Sequence, residues 1–233
     1  MEKKKRPADG VGAWIKKGID SGEYSRQLMS NSLVALNQET RGHVDPILVL
    51  EDAYYKTKSQ GSSTACIIAR GNVLFIFRTL IALDDRHHCL NVANVGDSGF
   101  VVFRNRECIY QSPIQPHGFN HPYQLGCSSQ FGDAVDTAME IVVPVQSGDI
   151  VVASTDGLID NTFPSEIEKI LTKRLDRDDH QLPKTWHGPQ QSMHCTILST
   201  DYESPFSRAA HLAGKNHVGG KIDDITVVVA KII

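Results

Sequence analysis

Gly148-Asp-Ile-Val-Val-Ala-Ser-Thr-Asp-Gly-Leu-Ile-Asp-Asn161 reads as a turn, a strand, a second turn and a helix start. Gly148 and Asp149 punctuate its beginning, and Ile150, Val151 and Val152 are an apolar, β-branched run of strand type. The strand ends in Ser154, Thr155, Asp156 and Gly157, with Asp160 and Asn161 on the same turn. A carboxylate at the tip of a buried strand is held rigidly, and Gly157 lets backbone come close to whatever that carboxylate binds. Two readings of Asp156 stand side by side. It is a metal ligand, or it caps a turn as Asp often does.

The same pattern recurs along the chain. Asn91-Val-Ala-Asn-Val-Gly-Asp-Ser-Gly99 places Asp97 after an apolar run. Gly219-Gly-Lys-Ile-Asp-Asp-Ile-Thr-Val-Val-Val229 places Asp223 and Asp224 at the start of a strand. Asp9-Gly-Val-Gly12 is a further carboxylate in a glycine-rich turn. Oxygen-rich sites without His or Cys suit hard cations such as Mg2+ or Mn2+. Each turn taken alone also reads as an ordinary loop.

The bulk numbers bound the rest. A chain of 233 residues can bury one sizeable core, and 40% hydrophobic content excludes a mostly disordered chain. A formal net charge of -3 implies no nucleic-acid surface. No stretch reaches membrane-spanning length, so no membrane insertion is expected. The Cys residues at 66, 89, 108, 127 and 195 show no CxxC spacing, their odd count argues against a complete disulfide framework, and a reducing compartment is the simpler expectation. Met1-Glu-Lys-Lys-Lys-Arg6 is basic but has no apolar run behind it, so it is not a secretory signal.

In chain order, Asp20 and Glu23 mark a helix start, and Tyr24, Leu28, Ser32, Leu33 and Leu36 give its apolar stripe to about Asn37. Asp45-Pro46 starts a second helix carrying Ile47, Leu50 and Tyr54. Short strands are expected at 65–69, 89–95, 100–103, 107–111, 139–145, 150–154 and 226–232, with 73–77 either a strand or the edge of an insertion and 84–88 a hairpin loop. Helices are expected at 164–174, with Ser165 or Thr162 near the cap, and at 206–217, with Ala209, Ala210, Leu212 and Ala213 able to pack. The 113–131 stretch holds His117 and His121, but Pro116, Gly118 and Pro122 oppose a helical His pair. Residues 176–194 read as an irregular loop. A meander of short strands indicates antiparallel sheet. The order predicts an α+β chain, two antiparallel sheets with helices outside, in one domain over 1–233.

Ala8-Asp-Gly-Val-Gly-Ala-Trp14, Gly61-Ser-Ser-Thr-Ala65, Ala93-Asn-Val-Gly-Asp-Ser-Gly99, Ser154-Thr-Asp-Gly-Leu-Ile-Asp-Asn161, Ser204-Pro-Phe206 and the Gly219 to Val228 stretch occur together and in this order. In these motifs the chain resembles the metal-dependent protein serine/threonine phosphatases (the PPM family), and in particular the PTC-seven-like branch. The resemblance covers almost the whole chain. It implies a β-sandwich flanked by helices, a four-layer αββα arrangement, with a two-metal site at one edge. It implies that Asp9 bridges two Mg2+ or Mn2+ ions, with Gly10 offering its carbonyl. Asp156 and Asp223 are then the other carboxylates, Asp97 belongs to a weaker third ion, and Gly157 and Asp224 support the site.

The implied activity is hydrolysis of phosphoserine and phosphothreonine in proteins by metal-activated water, without a side-chain nucleophile. The implied partner is a phosphoprotein, acted on by a monomer. Relatives carry a strand pair before the Asp9 motif, whereas eight residues precede Asp9 here. The resemblance therefore implies a chain apparently truncated at the N-terminus, lacking the usual first strands. The alternative it leaves is a catalytically inactive relative that binds a phosphoprotein or partner. An intracellular location is expected, mitochondrial or plastid if a transit peptide has been lost, otherwise cytoplasmic or nuclear.

Overall fold

The computed structural model describes residues 14, 18–38, 44–70, 73–75, 88–128, 132–175 and 202–232. The expectations for Asp9 and Gly10, for 76–87 and for 176–201 lie outside the described residues. The chain divides into two compact units, one holding residues 1–97 and 122–144, the other 98–121 and 145–233.

In the first unit, α1 (Ser21–Gln38) begins at Asp20, whose Oδ1 accepts from Gly22 N at 3.0 Å. α2 (Pro46–Lys56) begins at Asp45, whose carboxylate accepts from Ile47 N and Leu48 N, with Pro46 in the first turn. Both starts are as the sequence predicts. The helices pack on a sheet formed by β2 (Ala65–Arg70), β3 (Val73–Phe75), β4 (Cys89–Val95) and β10 (Met139–Pro144), all pairs antiparallel in the order β10-β4-β2-β3. Alternate strand residues Ala65, Ile67, Ala69, Ala93 and Val95 meet Tyr24, Leu28, Ala35, Val49, Leu50 and Ala53 in one core. The α1 stripe differs in one respect from expectation. Ala35 is buried, whereas Leu33 is 48% exposed, because a helix turns 100° per residue and 24, 28, 32 and 35 already fill the inner face. A two-residue strand β1 (Ser62–Ser63) pairs with β9 (Leu125–Gly126).

The second unit is built on β5 (Gly99–Arg104), β6 (Glu107–Gln111), β11 (Ile150–Ser154) and β12 (Val227–Lys231) in the order β12-β11-β5-β6, again antiparallel. Asn105 and Arg106, both at positive φ, make the tight turn between β5 and β6. Val101, Phe103, Ile150 and Val152 pack against Leu158 of α3 (Asp156–Ile159) and Ile167 and Leu171 of α4 (Pro164–Leu175). The start of α4 is closed by Glu166, which reaches back to accept from Phe163 N at 2.8 Å, the acidic half of a capping box. Arg104 holds buried Asp149 through two parallel bonds, at 2.9 and 2.8 Å.

The last helix, α5, spans Pro205–Leu212 and is capped by Ser204, whose Oγ accepts from Ser207 N at 3.0 Å. It is shorter than the sequence pattern indicates, and its inner face is Phe206, Ser207 and Ala210. Leu212 is 86% exposed and Ala209 is exposed too, since both lie away from the Phe206–Ala210 face, and Ala213 is exposed as the C-cap at the end of the helix. Residues 116–122 form a ribbon of β7 (Pro116–Gly118) and β8 (His121–Pro122), so the His pair is not helical.

Candidate metal centre

The second unit brings Asp156 and Asp223 together through its central strand. Asp156 opens α3 immediately after β11. The neighbouring strand β12 is preceded by Asp223 and Asp224. Thr155 stitches the two ends. Its N–H donates to the Thr226 carbonyl at 3.1 Å, its hydroxyl donates to the Asp224 carbonyl at 3.0 Å, and Thr226 N donates to that hydroxyl at 3.1 Å. A β-carbon on Gly157 would stand 2.6 Å from the Asp224 carbonyl oxygen. Glycine is therefore required there by the backbone that crosses it.

Asn161 fixes the next segment. Its Nδ2 donates to the carbonyls of Gly157 and Lys221, and its Oδ1 accepts from Lys221 N at 2.8 Å. Ser204 donates to the Gly219 carbonyl at 2.7 Å, and Phe206 N donates to the Asp160 carbonyl at 2.9 Å. Motifs that are far apart in sequence thus converge by hydrogen bonds on one strand end.

The charged groups meet at the Lys221 ammonium. Its Nζ lies 2.5 Å from Asp156 Oδ2, 3.0 Å from Asp160 Oδ2 and 3.1 Å from Asp223 Oδ2. Phe206 supports it, with the ring centroid 5.5 Å away. Asp156 is buried, and among the described residues its Oδ1 has no hydrogen-bond partner. Burial raises the Asp156 carboxyl above the usual range, with Lys221 pulling against it. Burial raises Asp160 to about 6, again opposed by Lys221. Burial disfavours the charge on Lys221, but Asp156 and Asp160 outweigh it and hold the ammonium above its ordinary value.

A buried carboxylate oxygen with no partner among the described residues, beside the Asp223 carboxylate, is a donor pair that suits a hard divalent cation. Among the described residues no group of three or more His, Cys, Asp or Glu has the spacing to enclose a metal by itself. Asp97 sits on the turn between β4 and β5, in the first unit. Asp224 lies beside Asp223, its N–H donating to Asp223 Oδ1 at 2.8 Å, and is exposed. Lys221 and Asp160 belong to this charged cluster without being among the site residues read from sequence. A lysine two positions before Asp223 inside the same motif was the available signal.

No family model matches the chain. Relatives are clear. The chain is 43% identical over 223 residues to the probable protein phosphatase 2C 55 of Arabidopsis thaliana, covering 96% of this chain and 44% of that protein. It is 36% identical to the protein phosphatase PTC7 homolog fig of Drosophila mojavensis, over 97% of this chain and 72% of that protein. It is 34% identical to the protein phosphatase PTC7 homolog of Homo sapiens, over 96% and 73%. The X-ray structure of the photosystem II phosphatase PBCP superposes with a TM-score of 0.75 at 27% identity, covering 97% of this chain and 85% of that one. The chain belongs to the protein phosphatase 2C (PPM) family, among its PTC7 homologues. Its α+β fold class is that of the family. The chain spans 44% and 50% of the lengths of the first two Arabidopsis relatives.

Proposed function

We propose that this chain hydrolyses phosphoserine and phosphothreonine in proteins, using Mg2+ or Mn2+. The observation that carries the reading is the meeting of Asp156 and Asp223 at one strand end, with Asp156 Oδ1 buried and without a hydrogen-bond partner among the described residues. Family membership supports it. Asp156 and Asp223 would hold a divalent cation, and the motif resemblance adds Asp9 and the Gly10 carbonyl as further ligands of a two-ion set and Asp97 as a ligand of a weaker third ion. When bound, the ions supply an acidified water and neutralise charge on the phosphoryl oxygens.

The chain's own residues do the positioning. Thr155 and Asn161 fix the two carboxylate-bearing segments against each other. Gly157 admits the Asp224 backbone, and the half-buried position of Asp160 keeps a third carboxylate at hand. The rigidity of this set limits reorganisation as charge develops. The partner in the proposal is a phosphoprotein, and the acting species is a monomer of a single domain. The location is intracellular, in mitochondrion or plastid or in cytoplasm or nucleus. Among the described residues no helix is long and apolar enough to cross a membrane.

The test is turnover of a phosphothreonine peptide with Mn2+, with EDTA and with Asp156→Asn, and circular dichroism on the same samples. Metal-dependent turnover lost in the variant is expected. A folded, metal-loaded sample without turnover would overturn the enzyme in favour of a phosphoprotein-binding relative.

A further inference from the structure

Lys221 is a group that a plain carboxylate cage would not need. Its side chain is 17% exposed, and three separate carboxylates face its ammonium at 2.5, 3.0 and 3.1 Å. Sequestering an ammonium from water is costly, and only the surrounding anions offset it. Asp156 and Asp223 are drawn to the same point by this one positive charge.

A divalent cation would need the same oxygens. Asp156 Oδ2 and Asp223 Oδ2 cannot both hold the ammonium and a hard cation at close range, because the two positive charges repel strongly in a partly dry site. Asp160 differs from the other two. It is held by its own backbone, its carbonyl accepting from Phe206 N, and it is not one of the carboxylates proposed to bind metal. It offers the ammonium somewhere to stay.

We infer that Lys221 is the resident counter-ion of this site. It gathers Asp156 and Asp223 in the metal-free chain, competes with the divalent cation for them, and passes to Asp160 as the cation binds. Binding is then an exchange of cations and not the filling of a bare acidic hole. The exchange lets the chain stay folded without metal, and it weakens metal binding relative to the same carboxylates alone. This inference rests on the metal-dependent function proposed above.

The test is Mn2+ binding by titration calorimetry to the whole chain, with melting in EDTA alongside. Lys221→Met tightens Mn2+ binding roughly tenfold, since the site gains one unit of negative charge and loses its competitor. The same variant melts lower in EDTA. A residue that only braces the structure would weaken binding when removed. Lys221→Gln gives the same reading should Lys221→Met fail to fold. Asp160→Asn weakens Mn2+ binding in the native background, and this effect largely disappears when combined with Lys221→Met. Equal effects in both backgrounds overturn the transfer to Asp160. Unchanged or weaker binding in both Lys221 variants, with native chain binding Mn2+ normally, overturns the inference and leaves the function standing. A native chain that binds no Mn2+ overturns both.

Discussion

Asn161 and Lys221 exchange two hydrogen bonds, the Asn161 Nδ2 donating to the Lys221 carbonyl and the Lys221 N–H donating to Asn161 Oδ1, each at 2.8 Å. A third bond runs from the same Nδ2 to the Gly157 carbonyl at 2.9 Å. One buried amide therefore couples the turn after Asp156 to the segment that carries Asp223. Asn161→Ala leaves backbone groups unpaired and costs about 2–4 kcal/mol in urea unfolding. Turnover falls further than the folded fraction does. A variant with native stability and native turnover would falsify this coupling.

Gly157→Ala forces a β-carbon to within 2.6 Å of the Asp224 carbonyl oxygen, and backbone cannot yield as a side chain can. The loss expected is about 1–3 kcal/mol. Weaker Mn2+ binding accompanies it, because the displaced segment carries Asp223. Calorimetric titration and melting of one preparation measure both effects. Melting at the native temperature would show that the contact is relieved at no cost.

Glu166 closes the start of α4 and accepts the Tyr202 hydroxyl at 2.6 Å. Burial, followed by Glu166, pushes the Tyr202 phenol above its usual range, so the hydroxyl stays protonated as the donor. Glu166→Ala removes both partners and costs about 1–2 kcal/mol. Glu166→Gln keeps most of that stability. Equal losses in the two variants would assign the effect to charge alone.

The pH dependence of stability changes sign with metal. Burial raises Asp160 from its ordinary 3.8 to about 6, so the folded metal-free chain holds this proton more tightly than the unfolded chain does. Its contribution is present at low pH and is lost as pH rises through about 6. The size is on the order of 2 kcal/mol, and raised Asp156 acts in the same direction. In EDTA, melting therefore falls from pH 4.5 toward pH 7, and Asp160→Asn flattens the curve. With Mn2+ the slope reverses, because the metal requires ionised carboxylates. A melting curve in EDTA that rises over this range sinks the account.

The strands were legible because their signals are local. The apolar run at 150–154 and the acidic turn after it appear as β11 and the start of α3. β4 and β6 match the predicted 89–95 and 107–111. Family order of the motifs carried Asp156 and Asp223 to a common site. What sequence missed depends on direction and not on residue type. Leu212 has the composition of a core residue but lies on the outer face of α5, which Phe206 and Ala210 turn inward. Lys221 and Asp160 are ordinary charged residues until the strand ends place them around Asp156. The Glu166 cap went unread because Phe163, which it serves, has no side-chain signature of an N-cap.

Among the described residues β12 pairs with β11 alone, at the margin of its sheet, and the segment before it carries Asp223. During synthesis the chain emerges from its amino end. A ribosome that has delivered β11 and Asp156 has thus made half a site, with nothing yet to face it. The carboxylates can converge only after residues 223–231 are released and zip onto the waiting strand. A nascent chain interrupted before residue 223 has no second carboxylate to pair, and one interrupted before residue 231 lacks part of the strand that anchors it.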